Sequence, residues 1–117
     1  MTQPRRGEIW WVSFDATIGG EIRKTRPAIV LSNNAANRVL NRVTVIPVSR
    51  RTEKLYPGEA LISIGREKNK AMADQLTTAS KRRLQNKLAA LSAADVKAVE
   101  NAVLLHLGIR GAGSTTL

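Results

Sequence analysis

A chain of 117 residues and 12.8 kDa has room for one domain with a modest core, which excludes a second domain. Nineteen Lys and Arg stand against nine Asp and Glu, a net charge of +10, and both halves share the excess; the positive field is built into the fold and favours a polyanionic partner. With no cysteine, one histidine and scattered carboxylates, the chain lacks a disulfide framework, a thiolate nucleophile, a His pair and any metal-ligand cluster at recognisable spacing, so no cofactor or metal is expected.

The opening residues, Met1 to Arg6, carry no apolar run for a secretory signal or a spanning helix, so a cytoplasmic protein without a membrane role is expected. Residues 7 to 14, Gly-Glu-Ile-Trp-Trp-Val-Ser-Phe, are rich in aromatic and β-branched residues and predict a strand. Alternation sends Trp10 and Trp11 to opposite faces, one to the core and one to the outside or an interface. Asp15 to Lys24, with Gly19-Gly20, predicts a loop that delivers the chain to Arg26. A second strand is expected over Ala28 to Ser32, then a turn or short helix over Asn33 to Arg38, and a third strand over Arg42 to Ser49. Pro47 inside that strand predicts an edge or a bulge.

Residues 50 to 57 are charged and contain Tyr56-Pro57, a surface loop. Glu59 to Ile64 predicts a fourth strand, with apolar residues 60, 62 and 64 on one face, and Lys70 to Leu76 a fifth. Ser80 opens a single helical turn over Lys81-Arg82-Arg83, and Lys87 to Leu91 forms a last short strand. The period then changes. Ser92-Ala93-Ala94-Asp95 is a cap-like start, and Val96, Val99, Val103 and Leu107 form one helical stripe ending at Gly108. Residues 1 to 110 are expected to form the domain and 111 to 117 a frayed Gly/Ser/Thr tail. Five or six short strands and a terminal helix in this length predict an α+β fold, a small barrel or strongly bent antiparallel sheet with the helix against it.

Arg26 is the residue with the clearest chemical promise. Pro27 fixes its own φ and keeps Arg26 out of the helical region, so the guanidinium stands on a stiff, extended mount suited to holding a phosphate.

Several short segments appear in a telling order: Arg6-Gly7-Glu8-Ile9-Trp10, Gly20-Glu21, Lys24-Thr25-Arg26-Pro27-Ala28-Ile29-Val30, Val45-Ile46-Pro47-Val48-Ser49, Met72-Ala73-Asp74-Gln75-Leu76-Thr77-Thr78 and Lys81-Arg82-Arg83-Leu84. With the final amphipathic helix, this set resembles the MazF/PemK (Kid) toxins of type II toxin-antitoxin systems, over nearly the whole chain. The resemblance implies an SH3-like barrel of the CcdB/PemK kind, a homodimer, and a metal-independent, sequence-specific endoribonuclease (an mRNA interferase) acting on single-stranded RNA. It also implies a cognate acidic antitoxin, and operator DNA bound through the toxin-antitoxin complex.

Carried over by motif, Arg26 and Ser49 form the implied catalytic pair, with serine standing where the family usually has threonine. The PemK/Kid branch places an arginine two residues before the aspartate matched by Asp74, and a histidine in the first loop. Here those places are Met72 and Gly20, so the chain looks closer to the MazF branch.

Metal-free cleavage uses the ribose 2′-OH as nucleophile and yields a 2′,3′-cyclic phosphate and a 5′-OH. Arg26 would stabilise charge on the phosphorane, with Ser49 donating to a non-bridging oxygen or positioning the clamp. Glu21, in the Gly-rich loop five residues before Arg26, is the candidate base; a solvated loop carboxylate is the competing reading. Lys24, Thr25, Arg50, Arg51 and Lys54 are candidate substrate contacts, together with Asp74 and Gln75, although a structural anchor is the better reading of Asp74. Arg82 and Arg83 serve equally well as solvated charges, and His106, beside the helical stripe, reads as a packing residue. Two other functions compete: a noncatalytic toxin of the same fold that poisons a DNA topoisomerase, and a basic RNA-binding module that leaves RNA intact.

Overall fold

The structure, a computed structural model, describes residues 3–14 and 24–110. Its strands are β1 (Glu8–Phe14), β2 (Lys24–Val30), β3 (Arg42–Ser49), β4 (Glu59–Ile64), β5 (Glu67–Met72), β6 (Thr77–Ser80) and β7 (Leu84–Ala90), with helices α1 (Asn34–Val39) and α2 (Ala93–Leu107). The strands form one antiparallel sheet in the order β4-β5-β3-β2-β1-β7, with β6 also paired to β3. The expected antiparallel sheet is present and, among the described residues, it is open: β4 and β7 end the path without pairing with each other.

Both faces of the central strands are buried, which is why Ala28-Ile29-Val30 and the run Val43 to Val48 read as nearly continuous apolar sequence. Ile9, Ile29, Ile46 and Val48 face one core with Ala60, Ile62 and Ala71, covered by Val99 and Ala102 of α2. The alternate residues Trp10, Val12, Ala28, Val30, Val43 and Val45 face a second core, completed by Ala79 and Leu84. Trp10 is buried and Trp11 half-buried, as alternation requires.

Proline accounts for two departures from expectation. β2 begins at Lys24, four residues before the predicted start, so Arg26 lies within the strand. Leu31 N donates to Thr44 O, so odd-numbered residues of β2 face β3 and even-numbered ones face β1. Pro27 therefore lacks its N–H on the β3 side alone, and pairing with β1 runs on through Arg26 opposite Val12. Pro47 lies in an interior strand, against the expected edge or bulge. The same alternation turns its missing donor toward the far edge of β3, where pairing with β6 ends at Val45 and pairing with β5 starts at Val48. A gap in the ladder replaces the predicted sheet edge.

The expected fifth strand over 70–76 divides. β5 follows β4 through Gly65-Arg66, with Gly65 at φ 61° in the two-residue turn, and ends at Met72. A 3₁₀ turn, Ala73–Gln75, then redirects the chain into β6, a seventh strand that the pattern did not suggest. The Ser80 cap is present, its Oγ accepting from Arg82 N at the 3₁₀ turn Lys81–Arg83, and β7 starts three residues earlier than predicted.

Ser92 Oγ accepts from Asp95 N at 3.1 Å, and Gly108 closes α2 in the left-handed region with φ 70°. Asp95 Oδ2 also accepts from Ser63 N at 2.9 Å, tying the helix start to β4. Leu107, assigned to the stripe, is instead half exposed; Ala102 takes its place in the core, and the final turn projects past the packed surface. At the start of β1, burial raises the pKa of the Glu8 carboxyl. Hydrogen bonds from Arg5 N, Trp10 Nε1 and Lys87, with the Lys87 charge, outweigh burial and hold it below its ordinary value. Among the described residues, no helix is long and apolar enough to cross a membrane. Residues 15–23, where a loop is expected, and 111–117, where a frayed tail is expected, lie outside the described residues.

Candidate active site

β1 ends, β2 begins and β3 ends at the same end of the sheet, so the side chains there come from three adjacent strands. The last rung between β2 and β3 is Ala28 opposite Pro47. Pro27 offers no N–H for the next rung, which would have gone to Val48. Continuing the register two residues places Arg26 opposite Ser49. Both then stand on the face of the sheet that carries Ala28 and Pro47, just beyond the last closed rung. Arg26 is exposed, and among the described residues nothing pairs with its guanidinium. Ser49 is half-buried, and its Oγ accepts from Arg51 N at 3.1 Å, which leaves the hydroxyl proton to donate elsewhere.

On the other side of Ser49 the row continues to Lys70 of β5, its paired residue. Lys70 is buried. Its ammonium is 3.0 Å from Glu59 Oε1, donates to Lys54 O at 3.1 Å and lies 5.7 Å from the centre of the Tyr56 ring. Glu59 Oε1 also accepts from Tyr56 N at 2.9 Å, and Glu59 N donates to Tyr56 O at 2.9 Å. The loop 50–57 thus has a backbone fastened at Arg51, Lys54 and Tyr56, while the side chains of Arg50, Arg51, Lys54 and Tyr56 are exposed.

Lys24 and Thr25 are exposed on β2, with Lys24 on the Arg26 face and Thr25 on the reverse. Asp74 and Gln75 occupy the 3₁₀ turn after β5 and are exposed. Asp74 N donates to Gly58 O at 3.2 Å, the anchoring role expected of it, and Gln75 Nε2 reaches Met72 Sδ at 3.6 Å. His106 stands against Gly58 at the margin of α2, where a methyl group on that glycine would meet its Nδ1 at 3.4 Å. Arg83 donates to Ser13 O at 3.2 Å beside the end of β1, whereas the Arg82 side chain is exposed. Glu21 and Gly20 lie outside the described residues.

The structure therefore gathers Arg26 and Ser49 at one end of one face and sets the basic loop 50–57 beside Ser49. Asp74 and Gln75 follow the end of β5, with Asp74 bonded to Gly58 at the exit of that loop. Sequence reasoning overlooked Lys70 and Glu59. A signal for Lys70 was available: a lysine inside Asn69-Lys70-Ala71-Met72, a run that otherwise reads as buried, requires an anionic partner.

Residues 5–107 match the family described as PemK-like, MazF-like toxin of type II toxin-antitoxin system. Endoribonuclease MazF9 of Mycobacterium tuberculosis is 37% identical over 114 residues, covering 90% of this chain and 97% of its own. The MazE-MazF crystal structure (Form-II) from Deinococcus radiodurans shares the fold with a TM-score of 0.80 and 29% identity, over 94% of this chain and 100% of that one. An endoribonuclease in complex with its cognate antitoxin, from a mycobacterial species, gives a TM-score of 0.76 at 22% identity, over 92% of this chain and 98% of that one, a likeness of fold. A family match that spans the strands, the ordered site segments and α2 together leaves one assignment: the chain belongs to the PemK-like, MazF-like toxins of type II toxin-antitoxin systems.

Proposed function

We propose that this toxin is an endoribonuclease that cuts single-stranded RNA at selected sequences without a metal ion. The juxtaposition of Arg26 and Ser49 beyond the last β2–β3 rung carries the reading, and the 37% identity to a protein named an endoribonuclease supports it. The scissile phosphate sits between the two side chains. The ribose 2′-oxygen attacks phosphorus as its proton passes to a base, and the bond to the 5′-oxygen breaks as that oxygen takes a proton from an acid, water or the protonated base, leaving a 2′,3′-cyclic phosphate and a 5′-OH. Glu21 is the assigned base. The Arg26 guanidinium stabilises the charge that grows on the phosphorane oxygens, and the free O–H of Ser49 donates to a non-bridging oxygen.

Lys24, Arg50, Arg51 and Lys54 hold flanking phosphates, which gives affinity without sequence choice. Bases splayed against residues 15–23, where a loop is expected, and against the loop 50–57 supply the choice, with Thr25, Asp74 and Gln75 as polar contacts. The exposed Leu61, Leu105, Leu107 and Ile109 supply apolar area for a homodimer. An antitoxin with an acidic, largely disordered segment would cover the basic end and block RNA, and operator DNA would be bound by that complex.

Mixed-sequence single-stranded RNA incubated with the toxin in excess EDTA, with product ends mapped, tests the reading. Chelator-insensitive cuts bearing cyclic phosphate and 5′-OH ends are expected, and Arg26→Ala should slow them by about 10²–10³-fold, the effect of removing one preorganised oxyanion donor. RNA that is bound with steep salt dependence and left intact would return the reading of a noncatalytic basic module.

A further inference from the structure

We propose that Lys70 is a specificity-setting positioning residue: its buried ammonium, locked to Glu59, shapes the loop 50–57 so that exposed Tyr56 and Lys54 meet RNA bases and backbone next to Ser49. This rests on the RNA-cleaving reading above.

A paired, buried charge is poor value as a stabiliser, because desolvating both ions offsets most of their attraction. Here the side chains are only 10% and 7% exposed, so that cost is present in full. What the pair does supply is direction. An ammonium has three donors. One meets Glu59 Oε1 and another Lys54 O, while the Tyr56 ring stands 5.7 Å from the same nitrogen. The same carboxylate oxygen accepts from Tyr56 N, so a single ion pair fixes the loop backbone at two positions and one ring. Because Lys70 is the strand partner of Ser49, the fixed loop is referenced directly to the candidate catalytic strand end. Ser49 Oγ completes the mount by accepting from Arg51 N.

Within this loop Tyr56 is 58% exposed and Leu55 49% exposed, although both are apolar-bodied side chains on an ordered backbone. An aromatic ring held outward beside a row of cations is the arrangement that stacks an unpaired base. Its orientation depends on Lys70, whose ammonium is buried and directed to Glu59 Oε1 and Lys54 O. Lys70 acts through the loop, away from the reacting atoms.

The test compares wild type, Lys70→Met, Lys70→Arg and Glu59→Gln on the same mixed-sequence single-stranded RNA, with every cut mapped and kcat and KM measured on an oligonucleotide carrying the best site. Circular dichroism melts and hydrogen exchange at the Tyr56 amide accompany each variant. In Lys70→Met the preference for the best site over the next should fall at least about tenfold, the worth of one mis-set binding contact. KM should rise more than kcat falls, and the Tyr56 amide should exchange faster. Lys70→Arg keeps the charge and should recover part of the preference. Glu59→Gln keeps an acceptor for Tyr56 N, is the milder change should Lys70→Met fail to fold, and should blur the preference in the same direction.

Folded variants that cut the wild-type sites with wild-type discrimination would overturn the proposal. So would a folded Lys70→Met with normal KM and no cleavage, since that makes Lys70 part of the chemistry. If wild type itself leaves RNA intact, the cleavage reading falls first and this proposal with it.

Discussion

In the proposed mechanism, Arg26 and Ser49 divide the work at the scissile phosphate by their chemistry. The guanidinium is a permanent cation with several donors, suited to charge that appears only in the transition state, whereas the hydroxyl supplies one neutral donor whose direction is set by the Arg51 N–H at its oxygen. The pH dependence of stability arises elsewhere. Glu8 has its pKa lowered in the folded state by three hydrogen-bond donors and the Lys87 charge. A depressed carboxylate contributes stability above its unfolded pKa and loses it as pH falls through the folded value. Glu8→Gln is therefore expected to cost about 1 kcal/mol at pH 7 and progressively less below the ordinary carboxylate range, read from urea melts at pH 7 and pH 3. A constant deficit across that range would remove the ion pair from the explanation.

Elements set the distance between the two side chains, and Pro27 is the residue that decides it. The missing N–H stops the β2–β3 ladder one rung short of the site while β1 keeps Arg26 in line. Pro27→Ala should restore a donor toward Val48, give position 27 an amide that is protected from hydrogen exchange, and lower cleavage about tenfold or more by narrowing the phosphate's place. Unchanged cleavage with a protected amide would show that the gap is immaterial. Much of this architecture was legible in the sequence: β3 and β4 have the expected bounds, and Ser80, Ser92 and Gly108 act as the caps their chemistry suggests. Local patterns of that kind depend on nearest neighbours in the chain. The failures involve partners distant in sequence. Which edge of β2 lacks a donor, where β3 passes from β6 to β5, and whether Leu107 has a surface to pack on are all settled by the neighbouring strand or helix. The site was half legible for the same reason: a motif names Arg26 and Ser49, but only the register brings them together, and only tertiary packing joins Lys70 to Glu59.

Across the whole molecule, a net charge of +10 favours a polyanion, and in the proposed mechanism the strand ends convert that general attraction into one productive place. Binding should weaken with salt with a slope of about −3.5 in log K against log salt if five cations, Lys24, Arg26, Arg50, Arg51 and Lys54, meet phosphates of a single strand. Lys54→Ala should flatten that slope by about 0.7 without moving the cut sites, and an unaltered slope would take Lys54 off the backbone path. The same field makes an acidic segment a fitting neutraliser, in keeping with the toxin-antitoxin family to which the chain belongs. The fold matters most directly for one geometric claim, that residues 26 and 49 act on a single phosphate. A double-mutant cycle of Arg26→Lys and Ser49→Ala, read as single-turnover cleavage of one RNA, measures their coupling. The account expects the two losses to be non-additive by at least about 1 kcal/mol, as for groups sharing one partner; losses that simply add would place the two side chains on separate phosphates and contradict it.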